Sequence, residues 1–119
     1  MSYMFELGDE TIWSPTNRVG QLYIGMLRAT ADVLEQPTGL DAVSEDLYDI
    51  DLSAFSSLVR RMLSVRTESV HPYMWRLLDG VLPICVAMVE RAGGTVIATT
   101  EEEAAYLAEV HAMDLPMAA

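Results

Sequence analysis

The sequence predicts an α+β domain: about four helices packed with a small sheet, the sheet made of an N-terminal hairpin and a short strand near residues 95–99. Three observations carry that expectation. Phe5-Glu6-Leu7 and Thr11-Ile12-Trp13 bracket Gly8-Asp9, a pair that suits a tight turn between two short strands. Apolar residues then recur at three- and four-residue spacing over most of the chain, the mark of helices with one buried stripe. Thr95-Val96-Ile97-Ala98-Thr99 is short, β-branched and set off by Gly93-Gly94, which reads as a strand.

Taken in order, Ser14-Pro15-Thr16-Asn17 supplies an N-cap and a proline pre-set for a first turn. Helix one therefore runs from about Asn17 to Glu35, with Val19, Leu22, Tyr23, Met26, Leu27, Thr30 and Leu34 inward. Gly20 and Gly25 each weaken such a helix by roughly 1 kcal/mol relative to alanine, which calls for close packing there or for a tolerated solvent position. Gln36-Pro37-Thr38-Gly39 ends it, and the acidic stretch from Asp41 to Asp51 is a connection in which Leu47–Ile50 reads as an edge strand. Asp51 or Ser53 caps a second helix, which buries Leu52, Phe55, Leu58, Val59, Met62 and Leu63 and ends near Arg66 to Ser69. His71-Pro72 marks the start of a third helix or a kink in a longer rod. That helix continues through Trp75, Leu78, Val81, Leu82, Cys85, Val86 and Val89, bends at Pro83 and stops at Gly93-Gly94. Thr100 with Glu103 three residues on is a capping box, and Glu101 to Glu103 suit the positive end of a helix dipole. Helix four follows from about Glu101 to Met113, with Ala104, Leu107 and Val110 inward and His111 either topping the core or facing solvent, and Asp114-Leu115-Pro116 ends it. Neither a repeat nor a linker divides the chain, so residues 1–119 are expected to form a single domain.

With 51% hydrophobic and 21% charged residues, the composition is too apolar for a disordered chain. The longest apolar run, Val81 to Val89, is far short of the ~20 residues of a spanning helix, and the N-terminus lacks the pattern of a secretory signal. A cytoplasmic location is the expectation. A single cysteine, Cys85, has no partner for an intrachain disulfide, and its apolar surroundings read as those of a buried, inert thiol.

Charge narrows the function further, since 18 acids stand against seven bases for a net of −11. Every base is arginine, a usage that suggests a GC-rich, actinobacterial-type source. Asp32, Glu35, Asp41, Glu45, Asp46, Asp49 and Asp51 fall in a stretch with no base, whereas Arg60, Arg61, Arg66, Arg76 and Arg91 fall in the next. A strongly acidic chain approaches a polyanion against repulsion, so nucleic-acid binding is not expected; a basic partner fits better. Histidines 71 and 111 lack ligand spacing and the acidic stretch lacks the glycine of a calcium loop, so no metal and no cofactor are expected. Without a nucleophile elbow, a phosphate loop or a dinucleotide fingerprint, the balance is against an enzyme.

The residues left as candidates for binding a ligand or partner are Trp13, Asn17, His71, Trp75, Arg60 and Arg61. Trp13 stands at the joint between hairpin and helix, where it either locks the two together or offers a contact. Methionines at 26, 62, 74 and 88 fill core gaps or line an adaptable surface, and the apolar surplus favours a self-associating or partner-binding face. Phe5-Glu6-Leu7-Gly8, Trp13-Ser14-Pro15-Thr16-Asn17, Pro37-Thr38-Gly39-Leu40 and Glu90-Arg91-Ala92-Gly93 together resemble a family of small actinobacterial proteins, a domain of unknown function. The resemblance spans about residues 3 to 94 and implies no site, cofactor or mechanism. The leading expectation is a non-enzymatic protein-interaction module, of accessory or immunity type, for a basic partner. The alternative is a small-molecule binder or small enzyme with a pocket among Trp13, His71, Trp75 and the arginines.

Overall fold

Gly8 takes a φ of 60° at the head of a two-residue turn, which closes β1 (Met4–Leu7) on β2 (Glu10–Trp13) as an antiparallel hairpin. The register shifts between Phe5 and Glu6, which pair with Trp13 and Thr11 and leave Ile12 extra. That bulge is why the consecutive residues Ile12 and Trp13 are both buried, where a regular strand would send them to opposite faces.

The computed structural model describes residues 2–117. After the hairpin come α1 (Asn17–Val33), β3 (Leu40–Ala42), β4 (Leu47–Ile50), α2 (Leu52–Glu68), α3 (Pro72–Leu78), α4 (Leu82–Arg91) and α5 (Glu101–Met113). The fold is α+β, with five helices among the described residues where the spacing predicted about four. Its sheet has four strands in the order β2-β1-β4-β3, with β1 and β4 parallel and the other pairs antiparallel.

Several expectations need correction; the simplest is Ala104, expected inward on the last helix and exposed in the structure. Thr95–Thr99 forms no strand: its groups bond to side chains instead, Ile97 O accepting from Arg60 and Thr99 N donating to Glu103. β-Propensity measures fit to a pleated surface, and among the described residues no strand pairs with this segment. Leu47–Ile50 is an interior strand rather than an edge, held by β1 on one side and β3 on the other, with Tyr48 and Ile50 buried. The long third helix is two helices, because Asp79-Gly80-Val81 separates α3 from α4 and Pro83 lies in the first turn of α4. Proline's missing N–H has no intrahelical partner to lose there, so Pro83 begins a helix instead of bending one.

α1 buries Gly20, Tyr23, Ile24, Leu27 and Ala31, so its inner stripe lies to one side of the expected one, and Val19 and Leu22 are exposed. Gly20 is required there, because a Cβ would fall 2.4 Å from the ring of Tyr3, while one on Gly25 would meet open space. Aromatic rings join sheet to helix: Phe5 stacks on Trp13 and Tyr48, and Tyr23 meets Phe5 and Trp13 edge-on. Behind them α4 buries Leu82, Cys85, Val86, Met88 and Val89 against α2, whose Phe55, Leu58, Val59, Met62 and Leu63 face inward as expected. Among the described residues no single helix is long and apolar enough to cross a membrane.

Candidate functional site

The six candidate residues do not converge. Trp13 is in the core, 9% exposed, where it locks the hairpin onto α1. Asn17 is the exposed first residue of α1, and the preceding Thr16 is the N-cap, making no side-chain bond in that role. His71 is the exposed N-cap residue of α3; Trp75, half-buried one turn later, donates its indole N–H to Ser69 O at 2.7 Å. The hollow beside Trp75 is lined by groups such as Arg66, Tyr106 and Glu109 and contains neither Trp13 nor His71. One pocket spanning both tryptophans and His71, as the sequence suggested, is therefore not formed there.

Adjacent on α2, Arg60 and Arg61 point to different fates. Arg61 is exposed and makes no side-chain hydrogen bond or ion pair among the described residues. Arg60 grips Glu103 with two donors, Nη1 to Oε1 at 2.7 Å and Nη2 to Oε2 at 2.8 Å, and also reaches Ile97 O and Thr99 Oγ1. Glu103 lies buried in the first turn of α5 and accepts from Thr99 N and Oγ1, while its own N–H donates to the Thr100 hydroxyl. The capping box thus forms on the Thr100 side, but its carboxylate reaches one residue further back and captures an arginine from α2. Hydrogen bonding to Arg60 outweighs burial and, with Thr99, pulls the Glu103 carboxyl down to about 2. This arrangement ties α5 to α2 and uses up the arginine.

A second closed cluster uses Arg66. Its guanidinium lies 5.5 Å from the ring centre of Trp75 and 4.9 Å from that of Tyr106, a cation held over two aromatic faces. Asp79 accepts from Arg66 Nε and from the Tyr106 hydroxyl, each at 2.8 Å. Burial opposes ionisation of Asp79, but those bonds win and its pKa falls; Tyr106 is raised by burial first and then by Asp79. Here too the polar groups satisfy one another.

Cys85 is fully buried against the Tyr23 hydroxyl at 3.1 Å, and burial pushes its thiol up to about 12. It should resist a thiol reagent at pH 8 in the folded protein and react fully in denaturant; rapid native labelling would contradict this burial.

The sheet presents the unsatisfied surface. Strand side chains alternate, so the neighbours of Phe5 and Tyr48 point away from the aromatic core. Across β1, β4 and β3 these neighbours are Glu6, Asp49 and Asp41, placed directly opposite one another by the register Glu6↔Asp49 and Asp41↔Asp49. Asp41 and Asp49 are exposed; Glu6 is half-buried and accepts from Thr11, its neighbour on β2. None of the three takes part in an ion pair among the described residues. Like charges at opposed positions disfavour a sheet, and no cation among the described residues pairs with this row. Asp49→Asn, the centre of the row, should stabilise the protein by about 0.5 kcal/mol in denaturant unfolding, whereas a loss of stability would mean that Asp49 has a structural role. Among the described residues no group of three or more His, Cys, Asp or Glu side chains has the geometry to hold a metal ion, so the row is an extended surface and not a chelating cluster.

In the sequence Asp41 to Asp51 stands out as an acidic connection, and nothing local joins Glu6 to it. The parallel pairing of β1 with β4 does that, across more than forty residues of chain. The pairing of Asp41 with Asp49 was in part legible, since Leu47–Ile50 read as a strand with an acidic residue at its third position.

Fold and surface together define a small α+β domain whose sheet carries an acidic outer face. The chain belongs to DUF6086, a family of unknown function whose model matches residues 1–119. Neither a curated protein nor a solved structure matches it.

Proposed function

We propose that this chain is a non-enzymatic protein-interaction module, of accessory or immunity type, that receives a basic partner on the outer face of its sheet. The observation that carries the reading is the cross-strand row Glu6–Asp49–Asp41, three carboxylates set opposite one another with no arginine paired to any of them among the described residues. Repulsion within the row weakens the free protein, and a cationic partner relieves it on binding. The arginines support the same division of labour. Arg60 and Arg66 are engaged with Glu103 and Asp79, and no ion pair among the described residues reaches the acidic face of this chain of net charge −11.

An arginine-rich synthetic peptide serves as the probe, read by fluorescence anisotropy at low and moderate salt. Asp41→Asn with Asp49→Asn should weaken binding about tenfold, and added salt should weaken the wild type similarly. Glu101→Gln with Glu102→Gln removes the same charge from the exposed start of α5 and should leave binding near wild type. Equal losses in the two double variants would reduce the attraction to net charge and sink the proposal.

A further inference from the structure

α1 carries two apolar stripes; the fold buries one and covers the other only in part, where Met26 packs against the core. Gly20, Tyr23, Ile24, Leu27 and Ala31 are buried. Val19, Leu22, Met26, Ala29 and Val33 form the other, at spacings of three, four, three and four residues, which is the a/d pattern of a helix-pairing seam. Val19 is 48%, Leu22 64% and Val33 72% exposed, too regular and too large a set to count as scattered surface hydrophobics. α3 widens the face. Its Leu77 is 70% exposed, and Leu77 and Met74 meet Met26, Ala29 and Val33 around an apolar hollow of about 280 Å³.

We infer that this face is the contact between two copies of the chain, related by a twofold axis with their α1 helices antiparallel. Charge selects this occupant and this orientation. Arg18 and Asp32 flank the seam on the same side, seven residues either way from Gly25, and neither forms an ion pair among the described residues. When Val19 and Leu22 face Ala29 and Met26 of an antiparallel second copy, Arg18 lies beside Asp32 of that copy, and symmetry makes the contact twice. The same register sets Gly25 beside its own counterpart at the axis, where open space above it leaves room for close approach. A parallel pairing forfeits both charge contacts.

The local charge balance points the same way. α1 and α3 together hold Arg18, Arg28 and Arg76 against Asp32 alone, in a chain of net charge −11. Two copies meeting here keep their acidic sheet faces apart, and the Arg18–Asp32 contacts offset part of the positive charge that the two helices bring together. Tyr23, from the buried stripe of α1, packs against Phe5 on the aromatic side of the sheet, so the acidic row faces away from this helix and stays open in the pair.

Sedimentation velocity on the full chain, from micromolar to submillimolar concentration, tests the inference. Wild type should sediment as a dimer at the upper end. Leu22→Lys and Leu77→Lys, both at exposed positions, should give monomers with unchanged far-ultraviolet circular dichroism. Asp32→Arg should raise the dimer dissociation constant at least about tenfold, and adding Arg18→Asp should restore it. A wild type that stays monomeric throughout, a dimer indifferent to Leu22→Lys, or a charge swap that fails to restore association would each overturn the inference. The peptide assay on the sheet face reads a different surface and stands or falls separately.

Discussion

Glu103→Ala should destabilise the protein by about 3 kcal/mol, because it strips Arg60 of its carboxylate and removes acceptors from Thr99 N and Oγ1. The figure sits at the low end for a broken buried pair, since the Arg60 side chain is 35% exposed and recovers part of its hydration. Acid should expose the same contact. The carboxyl falls from an ordinary 4.5 to about 2 on folding, so its contribution is complete above pH 5 and is lost as pH drops from 4.5 towards 2. Glu103→Gln, which cannot ionise, should flatten the stability profile over that interval. Urea midpoints across the acid range check both points, and a Glu103→Gln profile parallel to wild type would refute the assignment.

Trp13→Ala should cost about 3 to 5 kcal/mol, the range for emptying a core site of that size. Its ring stacks on Phe5 at 5.6 Å and meets Tyr23 edge-on at 5.3 Å, so its loss opens the joint between hairpin and α1. Trp75→Ala provides the contrast. That ring is half-buried and contributes one indole hydrogen bond and one cation–π contact to Arg66, so about 1 to 2 kcal/mol is expected. Guanidinium unfolding of both variants should rank Trp13 well above Trp75. The reverse order would remove Trp13 from the core.

Local rules read much of this fold. Gly8-Asp9 announces the hairpin, Thr100 the cap of α5 and the spacing of Phe55 to Leu63 the inner face of α2, while the structure decides for Asp51 over Ser53 as the cap of α2. Errors arose where two local signals competed or where the deciding partner lay far along the chain. α1 has apolar residues on two faces, and periodicity alone merged Val19 and Leu22 of the outer stripe with Tyr23 and Leu27 of the inner one. Pro83 reads as an interior proline because the helical spacing of apolar residues carries on from Trp75 and Leu78 to Val81 and Leu82 across Asp79-Gly80, where the helix breaks. Thr95–Thr99 looked like a strand because nothing local reveals that its polar groups are taken by Arg60 and Glu103. The acidic site was legible only in half. Asp41 and Asp49 belong to one acidic stretch, but Glu6 joins them through a parallel pairing that no local rule encodes.

The acidic sheet face as the surface for a basic partner is tested most directly by amide chemical shifts during titration with an arginine-rich peptide. The largest changes should fall on β1, β3 and β4 around Glu6, Asp41 and Asp49. Changes centred on Glu101 and Glu102, or spread evenly over every exposed acid, would contradict it.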